Sequence, residues 1–216
     1  MKRNKEFLYN YLNAYAPVAQ ETEGQKIWTD YITPFSDFIY TDAYGTSYGI
    51  LRRKSKSGDP IHVNTHKVVI EAHCDEIAWI ITNIEADGMI RVKRHGGSDN
   101  MIAPSKTVMI HTHIGTKVKG VFGWPAIHTR KAYVEKGYEQ EELWVDTGLK
   151  DLKAVNKAGV EVGNLITFDD QFHEMGDYYV GRSLDNKIGG YIIAEALRTI
   201  VEKGIELPYD LYVVNS

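Results

Sequence analysis

Apolar side chains recur along this chain in more than one rhythm, and the rhythm changes twice. Near the start Phe7, Leu8, Tyr11, Leu12 and Tyr15 fall at helical spacing until Pro17 stops the run, which predicts an amphipathic helix. Ile27, Trp28, Tyr31, Ile32 and Phe35 repeat that pattern, with Pro34 near the end of a second helix. SYGILRR and KVVIEAH then read as strands separated by the turn-rich KSKSGDP. The basic run from Arg52 to Lys56 is expected to be a solvated hairpin tip rather than a binding patch.

From about Ile77 to Phe172 the period shortens to two. IAWIITNIEADGMIRVKR places Asp87-Gly88 between two β-rich runs, a strong hairpin signal. TVMIHTHIGTKVKGVFGW alternates, with Val108, Ile110, Thr112 and Ile114 expected on one face. LWVDTGL and NLITF add short strands, and KDLKAVNKAG reads as a short helix closed by Gly159. Many short strands with glycine-marked turns predict a compact barrel or sandwich. After YYVGRSL the helical rhythm returns in Ile188, Tyr191, Ile192, Leu197, Ile200 and Val201, stopped by Lys203-Gly204, and PYDLYVVNS closes as a strand. The organisation expected is an α/β domain from residues 1–76 and 173–216, interrupted by an all-β domain over 77–172.

Composition narrows the partners. In 216 residues, 43% hydrophobic and 25% charged side chains are ordinary for a globular protein. A net charge of −4 gives no reason to expect nucleic acid or an anionic membrane. Cys74 stands alone, so no intrachain disulfide framework exists, which fits a reducing compartment. Lys2, Arg3 and Lys5 resemble a signal-peptide start, but asparagines interrupt FLYNYLNAYAP, and no run approaches the length of a membrane span. A cytoplasmic protein is expected.

The chemistry concentrates in two places. KVVIEAHCDEIAW carries His73 and Asp75 two residues apart, hence on one face, with Cys74 and Glu76 on the other. An imidazole beside a carboxylate at a strand end can begin a metal site, or be a histidine satisfied by its neighbour with no metal at all. Asp185 in GRSLDNKIGG stands where a helix N-cap belongs, and capping alone explains an aspartate there. Both positions, however, fall at the carboxyl-end rim of an α/β sheet, where such folds bind ligands. Acids converging there raise one another's pKa unless a divalent cation neutralises them.

AHCDEIAW, the glycine pair in KRHGG, KGVFGWPAIH, WVDTGL, VGNLITF and VGRSLDNKIGG stand in the order and spacing of the M42 family of metallo-aminopeptidases, which this chain resembles from about Ala16 to Ser216. The resemblance implies a zinc-exopeptidase-like α/β domain, incomplete at its C-terminus, with an inserted barrel-like dimerisation domain. It implies peptides as substrate, two divalent ions (zinc or cobalt), and dimers assembling into a hollow dodecamer. Carried over, His73 is a terminal metal ligand, Asp75 the acid that orients it, and Asp185 the bridge between the ions, which would hold an activated hydroxide.

The sequence departs from the family at Ala78-Trp79, where Gly-Phe is usual, and at Cys74. In the family a strand like LYVVNS runs on into a Gln-Glu-Glu stretch bearing the general base and a ligand, with a further acid and histidine beyond. The expectation is therefore the first part of a longer polypeptide, inactive by itself. Rival readings are a non-catalytic oligomerising homologue and another dinuclear-zinc amidohydrolase of the same clan. A glycanase would need two spaced carboxylates and no metal. His111 and His113 are expected to be surface or interface histidines, His173-Glu174 a loop, Cys74 a buried thiol, His128 structural, and the EQEE run at 139–142 a solvated charge run.

Overall fold

The computed structural model describes residues 3–54, 66–129 and 143–216. The chain divides into two compact units, Met1–Glu76 with Phe172–Ser216, and Ile77–Gln171. Phe172, read from its sequence as the end of the β-region, packs instead with Leu8 and Leu12 in the first unit. Its N–H donates to Asn13 Oδ1 at 2.8 Å.

The first unit is built on a four-stranded sheet. Strands β1 (Phe38–Thr41) and β2 (Ser47–Leu51) form an antiparallel hairpin, and β3 (Lys67–Ala72) lies at the opposite edge. Helices α1 (Arg3–Asn13), α2 (Thr22–Ile32) and α4 (Leu184–Glu202) contribute to one core with this sheet. Phe7, Tyr11, Trp28, Ile32, Ile193, Ala194 and Leu197 bury against Leu51, Ala72, Leu211 and Val213. Trp28 donates its indole N–H to the Gly190 carbonyl at 2.9 Å, which ties α2 to α4.

The last strand corrects the expectation that β2 and β3 are neighbours. β12 (Asp210–Asn215) runs between β2 and β3, antiparallel to the first and parallel to the second. So β2 and β3 are not paired with each other. Arg52 donates to the buried Asp210 carboxylate at 2.7 Å, while residues 55–65 lie outside the described residues. The burial of β12 on both faces leaves a central slot as its natural place. On α4 the buried face is Gly190, Ile193, Ala194 and Leu197, and Ile192 is exposed. Of the expected stripe, Leu197 is buried and Ile188, Tyr191 and Ile200 pack against the core, while Ile193 takes the place expected for Ile192 and Val201 is exposed. Ahead of α4, β10 (His173–Met175) and β11 (Tyr178–Val180) form a two-stranded hairpin, so His173-Glu174 is strand rather than loop.

The second unit is a closed six-stranded barrel. It is made of β4 (Ala78–Ile84), β5 (Ile90–His95), β6 (Thr107–His111), β7 (Lys117–Gly123), β8 (Trp144–Asp146) and β9 (Leu165–Phe168), ordered β4-β5-β8-β7-β6-β9 around the wall. Closure removes unpaired edges. Trp79, Ile81, Ile90, Val108, Ile110, Phe122, Val145 and Ile166 fill the interior. Helix α3 (Leu152–Lys157) is capped by Asp151, whose carboxylate accepts from the Ala154 N–H at 2.8 Å. The alternation on β6 ends early, because Thr112 closes a turn with Thr116 and leaves Ile114 exposed. His113 falls in that turn while His111 stays on the strand, within 3.0 Å of Thr167 Oγ1, so the two imidazoles do not share a strand face. His128 is exposed in a short 3-10 turn, and the EQEE run lies outside the described residues.

Gly88 sits at φ +90° in the β4–β5 turn, and a Cβ there would meet the Leu149 carbonyl oxygen at 2.6 Å. Gly115 has a similar φ of +80° with open space around it. Gly115→Ala should therefore cost about 1 kcal/mol for the left-handed backbone alone, and Gly88→Ala about 2–3 kcal/mol because a backbone clash is added. Thermal denaturation of the two variants measures the difference, and equal losses would remove the clash from the account.

Candidate metal centre

The ladder between β3 and β12 continues past the end of both strands. Ser216 donates its N–H to the Ala72 carbonyl at 2.9 Å, and Cys74 donates to the Ser216 carbonyl at 2.7 Å. This holds residues 73–76 extended, so alternation persists where the regular strand has ended. His73 and Asp75 stay partly exposed, whereas Cys74 and Glu76 are buried. The division is the one that the H-C-D-E order anticipates.

Asp185 reaches the same place from the other side. Helix α4 opens at Leu184, but Asp185 (φ −89°, ψ 107°) and Asn186 (φ −123°, ψ 25°) are non-helical, and the peptide between them is cis. Asn186, rather than Asp185, places its Oδ1 over the first regular turn. A Cβ on Gly189 would approach that oxygen to 2.2 Å, so glycine keeps the turn open. The Asp185 side chain is 97% exposed and is not spent on the helix end, as its expected capping role would require.

The His73 ring lies between the two carboxylates. Its Nδ1 is 2.7 Å from Asp75 Oδ1, and its Nε2 is 3.6 Å from Asp185 Oδ1. Nδ1 thus faces Asp75 while Nε2 is turned to the Asp185 side. The 3.6 Å gap is long for a hydrogen bond. It is close to the ~3.3 Å that separates two donor atoms on one tetrahedral ion with bonds of about 2.0–2.1 Å. The pair thus fits one edge of a coordination sphere. Among the described residues no group of three or more His, Cys, Asp or Glu is arranged to hold an ion.

Beneath this surface lies a charged layer that the sequence pattern did not reveal. Glu76 is buried, and its carboxylate accepts from Arg182 at 2.9 Å and from the Ala16 N–H at 3.0 Å. Lys187, 0% exposed, has its Nζ 3.7 Å from Glu76 and donates to the Ala14 carbonyl at 2.7 Å. Burial pushes the Lys187 ammonium below its usual range, and Glu76 opposes the shift. Three ionisable residues close to H-C-D-E and S-L-D-N were the available signal, but only packing shows that they meet. The Cys74 thiol is buried beside Tyr11, and a Cβ on Gly24 would come within 2.5 Å of its sulfur.

With fold and site in view, the class is that of an α/β domain carrying an inserted six-stranded barrel. The M42 glutamyl aminopeptidase family model matches residues 57–216, and the chain belongs to the M42 peptidase family. It is 33% identical over 209 residues to the Escherichia coli (strain K12) protein named "Putative aminopeptidase FrvX", covering 94% of this chain and 55% of that one. It is 26% identical over 153 residues to the lysyl aminopeptidase of Pyrococcus furiosus, covering 69% of this chain and 43% of that one. The chain thus spans about half the length of these curated relatives. The same fold is found in an aminopeptidase of the archaeon Desulfurococcus kamchatkensis, with a TM-score of 0.87 and 24% identity over 99% of this chain and 55% of that one. A structure described as a PhTET1 dodecamer superposes with a TM-score of 0.80 at 21% identity, covering all of this chain and 60% of that one.

Burial pushes the Cys74 thiol up to about 11 from an ordinary value of 9.0. In the native protein at pH 8 it should react with a disulfide reagent at least ~100-fold more slowly than in guanidinium, followed by thiolate release. The folded state holds this proton more tightly than the unfolded state. Its contribution to stability is therefore complete below about pH 9 and is lost as pH rises from 9 to about 11. Equal thiol reactivity in the native and unfolded states would contradict the burial.

Proposed function

We propose that this chain supplies part of the active site of a metal-dependent aminopeptidase that removes N-terminal residues from peptides. The observation that carries the reading is the approach of His73 Nε2 to Asp185 Oδ1 at 3.6 Å, from segments more than a hundred residues apart. Membership of a family of aminopeptidases supports it. His73 would serve as a ligand and Asp75 would fix its tautomer and tilt. Asp185, exposed and with two carboxylate oxygens, would link two ions. Zinc or cobalt suits an imidazole-carboxylate set. Such ions supply Lewis-acid activation of water and of the scissile carbonyl. Asp75 would also offset the partial positive charge that metal ligation places on the imidazole.

His73 and Asp185 would fill half of one tetrahedral set. The whole protein would act as a homo-oligomer in the cytoplasm, with the barrel serving as the dimerisation domain. The dodecamer described for PhTET1 and the tetrahedral or octahedral assemblies described for Pyrococcus horikoshii TET1 support this reading. No helix among the described residues is long and apolar enough to cross a membrane.

The test is hydrolysis of aminoacyl anilides and short peptides by the whole protein, before and after chelation. Chelation should abolish turnover, and zinc or cobalt should restore it. His73→Ala and Asp185→Asn should each lower kcat/KM by about 1,000-fold or more, and Asp75→Asn by about 10–100-fold. Chelator-resistant activity would end the metal reading. Equal turnover of N-acylated substrates would move the protein to another branch of the same hydrolases.

A further inference from the structure

We infer that Glu76 is a positioning residue, clamping the His73 segment to the Asp185 segment and so setting the spacing of the proposed ligands. The inference rests on the aminopeptidase reading. Its geometry is independent of the two ligand side chains.

Glu76 lies one residue beyond Asp75, on the inward-facing side of the same extended segment. Arg182 stands three residues before Asp185 and Lys187 two after it, so the two cations bracket the exposed aspartate. Arg182 donates one guanidinium arm to Glu76 at 2.9 Å and the other to the Asn13 carbonyl at 2.9 Å. Lys187 reaches the Ala14 carbonyl at 2.7 Å and faces the second Glu76 oxygen at 3.7 Å. The Glu76 backbone joins in, with its N–H donating to the Ala16 carbonyl at 2.7 Å. Three segments, 13–16, 73–76 and 182–187, therefore converge on one carboxylate.

That carboxylate is well placed to decide where Asp185 sits. Three of the residues 183–186 lack regular helical geometry: Ser183 adopts φ +57° and Asp185 and Asn186 are non-helical, with no side-chain cap made at the helix start. A segment without helical restraint needs anchors on each side, and Arg182 and Lys187 are those anchors. Burial makes them stiff. Charge-assisted bonds are short and directional, and an unpaired charge at this depth is costly enough to keep all three groups together.

The experiment is a cobalt(II) titration of the metal-free whole protein, read by dissociation constant and by visible ligand-field absorption. It compares the parent with Glu76→Gln, Arg182→Lys, His73→Ala and Asp185→Asn. Glu76→Gln keeps the shape and removes the charge, and thermal melting checks that it folds. It should weaken cobalt binding about 10–100-fold and shift the absorption band. In turnover it should lower kcat while KM stays within about twofold. Arg182→Lys keeps a charge but loses the two-armed fork, and it should move each readout the same way. If Glu76→Gln does not fold, Arg182→Lys alone decides the matter. Parent-like affinity and spectrum in a folded Glu76 or Arg182 variant, with cobalt binding lost in His73→Ala and Asp185→Asn, would overturn the clamp and leave the peptidase reading standing. Unchanged binding in all four would overturn both.

Discussion

The central slot occupied by β12 is the constraint on which the first unit depends. A strand that is antiparallel to β2 and parallel to β3 satisfies backbone groups on both sides at once. It also carries the pairing beyond Ala72, through Ser216 and Cys74, so that the H-C-D-E segment leaves the sheet in a defined register. Asn215 reinforces the same end of the strand. Its side-chain amide donates to Tyr11 at 2.9 Å and to Gln25 at 3.0 Å, and Gln25 donates back to the Asn215 carbonyl at 2.8 Å. Helices α1 and α2 are thereby keyed to the strand whose neighbour bears His73. The His73 segment follows the carboxyl end of β3, which is parallel to β12, and open α/β sheets generally bind ligands outside such strand ends.

Below the exposed imidazole and carboxylates, the interior is not purely apolar. Glu76, Arg182 and Lys187 place charge where an apolar core would be easier to build. Removing one member of such a group commonly costs about 3–5 kcal/mol, because the others remain buried and uncompensated. The benefit is directional. Apolar contacts tolerate sliding, whereas a guanidinium fork between Glu76 and the Asn13 carbonyl tolerates little. A site that must bring an exposed aspartate within a few ångströms of a histidine from another segment gains from that intolerance.

The barrel solves a different problem. The chain leaves the first unit after Glu76 and returns at Phe172, so nearly a hundred residues intervene between the two segments that carry His73 and Asp185. Closure of the six strands and an apolar interior around Trp79, Phe122 and Ile166 make that insertion a compact unit with its own core. An insertion of this length adds little loop-closure cost beyond that of a short loop, because the cost grows only with the logarithm of length.

Much of this was written in local pattern. The 3.6-residue rhythm of α1 and α2, the Asp87-Gly88 hairpin and the period-two runs of the barrel wall depend on side-chain spacing along the chain, and spacing survives without tertiary context. The same holds for H-x-D alternation, which sent His73 and Asp75 one way and Cys74 and Glu76 the other. What spacing does not carry is partnership between distant segments. It gave no sign that β12 would separate β2 from β3, that Ile193 rather than Ile192 would face the core, or that Thr112 would end β6 and strand His113 in a turn. Nor did it show that Arg182 and Lys187 would close on Glu76, leaving Asp185 to face His73. Local periodicity determined the elements and the two chemically charged stretches. Only the packed structure decided which strand lay beside which and which charges met, because hydrogen-bond ladders and buried ion pairs are satisfied across the fold and not along the chain.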